Sequence, residues 1–138
     1  MKETLLKFYM DVAVNASFLS YCKRRQVGAV ITDENGENIL GYGFNGTIKG
    51  LPNICELEDG TTDNASVLHA ETNAIMKVCR STQSTDGAVL FVTLSPCVEC
   101  AKIIIQAGIS KVYFKSAYKS LEGLAVLNRS RVETQQLL

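Results

Sequence analysis

The chain has 138 residues, 46% apolar and 20% charged, which is enough for one buried core and unlike a disordered segment. Its fourteen basic and fourteen acidic residues cancel, so no net field draws it to long nucleic acid. No apolar run approaches the roughly 20 residues that cross a bilayer, and Met1–Met10 mixes charged with apolar residues, unlike a signal peptide. A cytoplasmic, reducing setting is therefore expected, with a small ligand rather than a nucleic acid or a membrane as partner. Five cysteines, at 22, 55, 79, 97 and 100, are an odd number and argue against a disulfide framework in that setting.

Residues 4–20 place Leu5, Phe8, Tyr9, Val12, Ala13 and Ala16 near a 3.6-residue period, which predicts an amphipathic helix. Residues 26–32 and 38–43 read as two strands joined by the turn Asp33-Glu34-Asn35-Gly36. Residues 45–65, with Gly46, Gly50, Pro52 and Gly60, read as a long loop, and long loops in compact folds are often functional. Helical periodicity returns over 67–80. Residues 88–94 (AVLFVTL) read as a buried strand, and Ser95-Pro96 opens a helix that runs to about Gln106, with Gly108 as its stop. A strand over 111–115, a helix over 121–128 and a last strand or frayed tail over 131–137 complete the order. Alternating strands and helices predict one α/β domain over 1–138, helices packed on a sheet. Cys79, late on its helix, reads as a buried small hydrophobe.

Two short motifs carry the chemistry. His69-Ala70-Glu71 opens one helix and Pro96-Cys97-Val98-Glu99-Cys100 opens another. Sulfurs three residues apart on a first helical turn share a face. His69, the sole histidine, is the third ligand candidate. Three protein ligands leave a fourth tetrahedral position open, as in catalytic rather than structural zinc sites. Helix N-termini favour thiolate at both cysteines. Glu71, two residues after a ligand, is placed to carry protons without binding the metal. His-x-Glu followed by Pro-Cys-x-x-Cys is the pattern of zinc nucleobase deaminases, in which a glutamate serves as acid and base.

Beyond these motifs the sequence resembles the cytidine/deoxycytidylate deaminase superfamily, and within it the deoxycytidylate branch. The resemblance rests on Arg24–Ile31, Gly41–Gly46, Gly50-Leu51-Pro52, His69–Ile75, Thr93–Lys102 and Ile105–Ile109. It implies a three-layer α/β/α fold with a mixed five-stranded sheet, and zinc-dependent hydrolysis of dCMP to dUMP and ammonia, on the way to dTMP. It implies Glu71 as the catalytic residue, His69, Cys97 and Cys100 as zinc ligands, and Asn45, Ala70 and Ser95 as substrate contacts. For the 5′-phosphate the candidates are Lys115, Tyr118 and Lys119 after a strand, and Arg24 or Arg25 before the first. Members of this family are often hexamers activated by dCTP and inhibited by dTTP, so a homo-oligomer is expected. Gly43, Phe44 and Gly46 would serve such an effector, with Mg²⁺ accompanying its triphosphate. Some relatives hold a second zinc near the places of Cys22 and Cys55, but the loop 45–65 offers no histidine, and these make a poor ligand set. The alternatives are a deaminase of the same fold acting on dCTP, a nucleoside or a free base, and a zinc-stabilised binding module without catalysis.

Overall fold

The computed structural model describes residues 1–138. In chain order it contains α1 (Glu3–Ser17), β1 (Gly28–Thr32), β2 (Ile39–Phe44), β3 (Gly46–Thr47), β4 (Val67–Leu68), α2 (Ala70–Cys79), β5 (Val89–Leu94), α3 (Val98–Gln106), β6 (Lys111–Ser116), α4 (Glu122–Arg129) and β7 (Glu133–Gln136). Five strands form one mixed sheet in the order β2-β1-β5-β6-β7. β1 runs antiparallel to β2 and to β5, whereas β5, β6 and β7 are mutually parallel. The parallel steps follow from the helices between those strands, because a helical crossover returns the chain to the starting end of the sheet.

Side chains alternate across a strand, so the central strands feed two cores. Ala29, Ile31, Leu90, Val92, Val112 and Phe114 face one side, where Ala74 and Val78 of α2, Ile104 of α3 and Leu127 of α4 cover them. Val30, Val89, Phe91 and Tyr113 face the other, where Tyr9, Met10 and Ala13 of α1 cover them. The result is the expected three-layer arrangement, one helix below the sheet and three above. β2 lies close to α2: a Cβ at Gly43 would fall 2.5 Å from the Ala74 nitrogen and 2.6 Å from the Ala70 carbonyl oxygen. No helix is long and apolar enough to cross a membrane.

Several details differ from the sequence expectation, each for a local reason. α1 ends at Ser17 because the backbone turns beyond Phe18, which leaves Leu19 exposed. β1 begins at Gly28 because the Val27 N–H is taken by the Asn45 side chain. α2 begins at Ala70 because Val67 and Leu68 pair with β3. Residues 133–136 form a strand beside β6 rather than a frayed tail. Cys79 is exposed, not buried, because α2 turns its Ala70, Ala74 and Val78 face to the sheet.

The cysteine expectation needs the largest correction. Cys22 and Cys55 are joined as a disulfide, with Cα atoms 5.3 Å apart, and Cys79, Cys97 and Cys100 remain free. An odd total hides a pair when the remaining thiols have other roles. The Cys22 and Cys55 sulfurs lie near the Glu56 carboxylate, but bonded to each other they are not a thiolate ligand set for a second metal.

Candidate active site

The site is built from two helix beginnings. His69 is the residue before α2 and Cys97 the residue before α3, both with extended backbone, so each side chain projects past its helix end. The Cys97 sulfur accepts the N–H of Cys100 at 3.5 Å, the N-cap bond of α3. Gly123 of α4 packs on the Pro96-Cys97 backbone so closely that a Cβ there would collide with the Pro96 carbonyl. α4 thereby buttresses the segment that presents the first cysteine.

His69 Nδ1 lies 3.5 Å from the Cys97 sulfur and 3.3 Å from the Cys100 sulfur. Ligands bonded to zinc at about 2.0–2.3 Å in a tetrahedron stand roughly 3.5 Å apart. The three donors therefore fit a zinc ion. One imidazole and two sulfurs are also a donor set that suits zinc rather than magnesium or calcium.

The electrostatics of the three groups are interlocked. A hydrogen bond from the Cys100 thiol, and then one from His69, hold Cys97 well below the ordinary thiol range. The neighbouring Cys97 sulfur and then burial push Cys100 up. His69 is raised, first by its hydrogen bond with Cys97 and against the effect of burial. Glu71 is 4% exposed, and burial pushes its carboxyl up to about 7, while its own backbone amide and His69 pull the other way.

His69, Glu71 and Cys97 lie on the wall of a cavity of about 480 Å³, a size that suits a small ligand. Of the residues expected to meet substrate, Asn45, Ala70, Ser95, Tyr118, Arg24, Arg25 and Lys119 line it. Lys115 does not; it is exposed near the end of β6, outside the cavity. Gly43, Phe44 and Gly46 also lie outside. Gly43 is pressed on α2, Phe44 lies beneath Lys77 and Gly46 sits against Tyr21.

Two lining residues do structural work as well. Asn45 accepts the Val27 N–H and donates to the Arg25 carbonyl, both at 2.8 Å, and so shapes the segment carrying the arginines. Ser95 Oγ accepts the Tyr118 N–H at 2.7 Å, and the Arg25 guanidinium stacks 5.3 Å from the Tyr118 ring centre. The lining also includes residues that the motifs did not single out, Leu57, Thr61, Thr62, Asn64 and Val67. The length of the loop was the available signal, but its fold depends on pairings distant in sequence, the Glu56–Thr62 bridge and the β3–β4 ladder.

Comparison with known proteins decides the family. Residues 3–116 match the family model described as the cytidine and deoxycytidylate deaminase zinc-binding region. The chain belongs to this family. It is 40% identical over 121 residues to human deoxycytidylate deaminase, covering 80% of this chain and 64% of the relative. It is 35% identical over 116 residues to ComE operon protein 2 of Bacillus subtilis, covering 83% of this chain and 60% of that one. The chain thus spans about three-fifths of the length of these curated relatives. A crystal structure of dCMP deaminase from the cyanophage S-TIM5 in complex with dCMP and dUMP superposes with a TM-score of 0.94. The two are 46% identical, and the match covers 99% of each chain.

Proposed function

We propose that this chain is a zinc-dependent deaminase that converts dCMP and water to dUMP and ammonia. The observation that carries the proposal is the buried Glu71 beside the His69, Cys97 and Cys100 cluster in a cavity also lined by three exposed cations, Arg24, Arg25 and Lys119. The likeness to the cyanophage dCMP deaminase and to the human enzyme supports the choice of substrate.

His69, Cys97 and Cys100 would hold the zinc. When bound, zinc supplies the Lewis acidity that makes water a nucleophile at neutral pH. Glu71 takes a proton from the attacking water as its oxygen bonds to C4 of the cytosine and passes that proton to ring N3. It then takes the second proton of the same oxygen and passes it to the amine as the C4–N bond breaks and the C4 carbonyl forms, which releases ammonia and restores the carboxylate. A carboxyl that both accepts and releases a proton suits both halves of the task, and Glu71, buried on the cavity wall beside His69 and Cys97, is placed for it. Arg24, Arg25 and Lys119 bind the 5′-phosphate by charge-assisted hydrogen bonds. Asn45 orients the sugar or base and holds the 25–27 segment in place. Ala70 and Ser95 complete the substrate wall.

The family resemblance further supports a hexamer of this chain, activation by dCTP with Mg²⁺, inhibition by dTTP, and a place in dTMP supply. Steady-state rates on cytosine, deoxycytidine, dCMP and dCTP test the core reading. A strong preference for dCMP is expected; equal rates on the free base and the monophosphate would refute it. Rates with added dCTP or dTTP, together with the solution mass, test the regulatory and oligomeric parts.

A further inference from the structure

Thr72 stands three residues after His69, in the first turn of α2. Its residue is 8% exposed, and its hydroxyl lies 3.6 Å from the Cys100 sulfur across the α2–α3 contact. Threonines in helices often turn the hydroxyl back onto a carbonyl three or four residues earlier. Here it meets the sulfur of another helix.

The two sulfurs differ in their surroundings. Cys97 precedes α3, so a backbone N–H at the helix start, that of Cys100, points at it. Cys100 lies inside the first turn and is 3% exposed. The next amide, Ala101 N–H, is already bonded to the Cys97 carbonyl at 2.8 Å. The Thr72 hydroxyl therefore supplies at Cys100 what the helix end supplies at Cys97. A metal-bound thiolate carries no proton, so in that state the hydroxyl must be the donor.

We infer that Thr72 is a positioning residue of the metal site, whose O–H donates to the Cys100 thiolate, fixing the sulfur's direction and drawing charge from it. This rests on the reading of His69, Cys97 and Cys100 as zinc ligands. Hydrogen-bond partners of metal ligands commonly matter 10- to 100-fold in metal affinity. Thr72→Val keeps the side-chain shape and removes the donor. Thr72→Ser keeps the donor.

The test uses the full chain loaded with zinc or, for spectroscopy, with cobalt(II). Zinc affinity is measured by chelator competition, and the sulfur-to-cobalt charge-transfer band by absorption. The valine variant should bind zinc about 10-fold or more weakly, and its band should move to longer wavelength as the thiolate becomes more electron-rich. The serine variant should restore both. A valine variant with the wild-type affinity, or tighter, and an unmoved band overturns the inference while the metal reading stands. A wild-type protein that takes up neither metal overturns both. Thr72→Ala beside Thr72→Ser repeats the comparison, since those two differ by the hydroxyl alone, should the valine variant fold poorly.

Discussion

Opening the Cys22–Cys55 bond should weaken the fold and slacken one wall of the active-site cavity. The two cysteines are 33 residues apart in sequence. On loop-closure entropy alone, a cross-link of that span restricts the unfolded chain by about 3.7 kcal/mol at room temperature. For a 138-residue chain, the usual unfolding entropy turns this into a fall in Tm of about 13 °C. The bond also joins the segment carrying Arg24 and Arg25 to the loop carrying Leu57, Thr61 and Asn64. The same two segments meet where the Lys23 and Arg24 N–H groups donate to the Glu56 carboxylate at 3.1 and 3.3 Å. KM for dCMP should therefore rise on reduction while kcat changes less. The assay is thermal unfolding with and without a phosphine reductant, repeated with Cys22→Ser, in which the reductant should have no further effect. That control separates disulfide cleavage from any loss of zinc. Two results would refute the reasoning. One is a Tm unmoved after mass spectrometry has shown the bond reduced. The other is five titratable thiols, rather than three, in the denatured, unreduced, metal-free protein.

Glu71→Gln should lower kcat by about 10²- to 10⁴-fold, the usual worth of a positioned acid–base group, with zinc content unchanged by metal analysis; a near-normal rate would remove Glu71 as the proton carrier. In the zinc-free protein, burial raises the Glu71 carboxyl from 4.5 to about 7. Between those values the folded state keeps a proton that the unfolded chain has released. The Glu71 contribution to stability should therefore fall as pH rises from about 4.5 to 7, by on the order of 3 kcal/mol, superposed on the opposite contribution of the depressed Cys97 thiol. Urea midpoints of the zinc-free protein and of Glu71→Gln across that window check this: the difference between the two curves should change by that amount, and parallel curves would contradict it. Arg24→Ala and Lys119→Ala should each raise KM for dCMP by about 10-fold or more, the cost of a charge-assisted hydrogen bond. Their effect on deoxycytidine should be small, and Lys115→Ala should change neither; kinetics on the two substrates separate the outcomes.

The clustering of His69, Cys97 and Cys100 could be read from the sequence because each half of it is local. His69 and Cys97 stand at helix starts, and two or three residues of helix then determine where Glu71 and Cys100 lie. The sheet was legible for the same reason: the runs at 28–32, 89–94 and 111–116 are continuous, and helices between the last three strands require parallel pairing. Legibility ends where geometry depends on contacts between distant segments. Lys115 and Lys119 differ by four positions and share a charge. The chain leaves β6 after Ser116, and Tyr118 is then tied back to Ser95, which brings Lys119 to the cavity and leaves Lys115 outside.

The same limit explains Cys22 and Cys55. Nothing in their neighbouring residues marks them as a pair, and a count of cysteines treats the metal-facing thiols as if they could cross-link. Only the fold shows that Asn45, Glu56 and the disulfide converge on one short segment, residues 22–27. Asn45 bonds to Arg25 and Val27, Glu56 to Lys23 and Arg24, and Cys55 to Cys22. That segment carries two of the three cations proposed to hold the phosphate. Its fixings come from Asn45 between β2 and β3, from the long loop and from a covalent bond, whereas the proposed zinc ligands are fixed by helix ends. The two halves of the site therefore rest on separate supports. A change that loosens the 22–27 segment should alter selection among nucleotides while leaving metal binding intact, whereas a change at the start of α2 or α3 should act on the metal first.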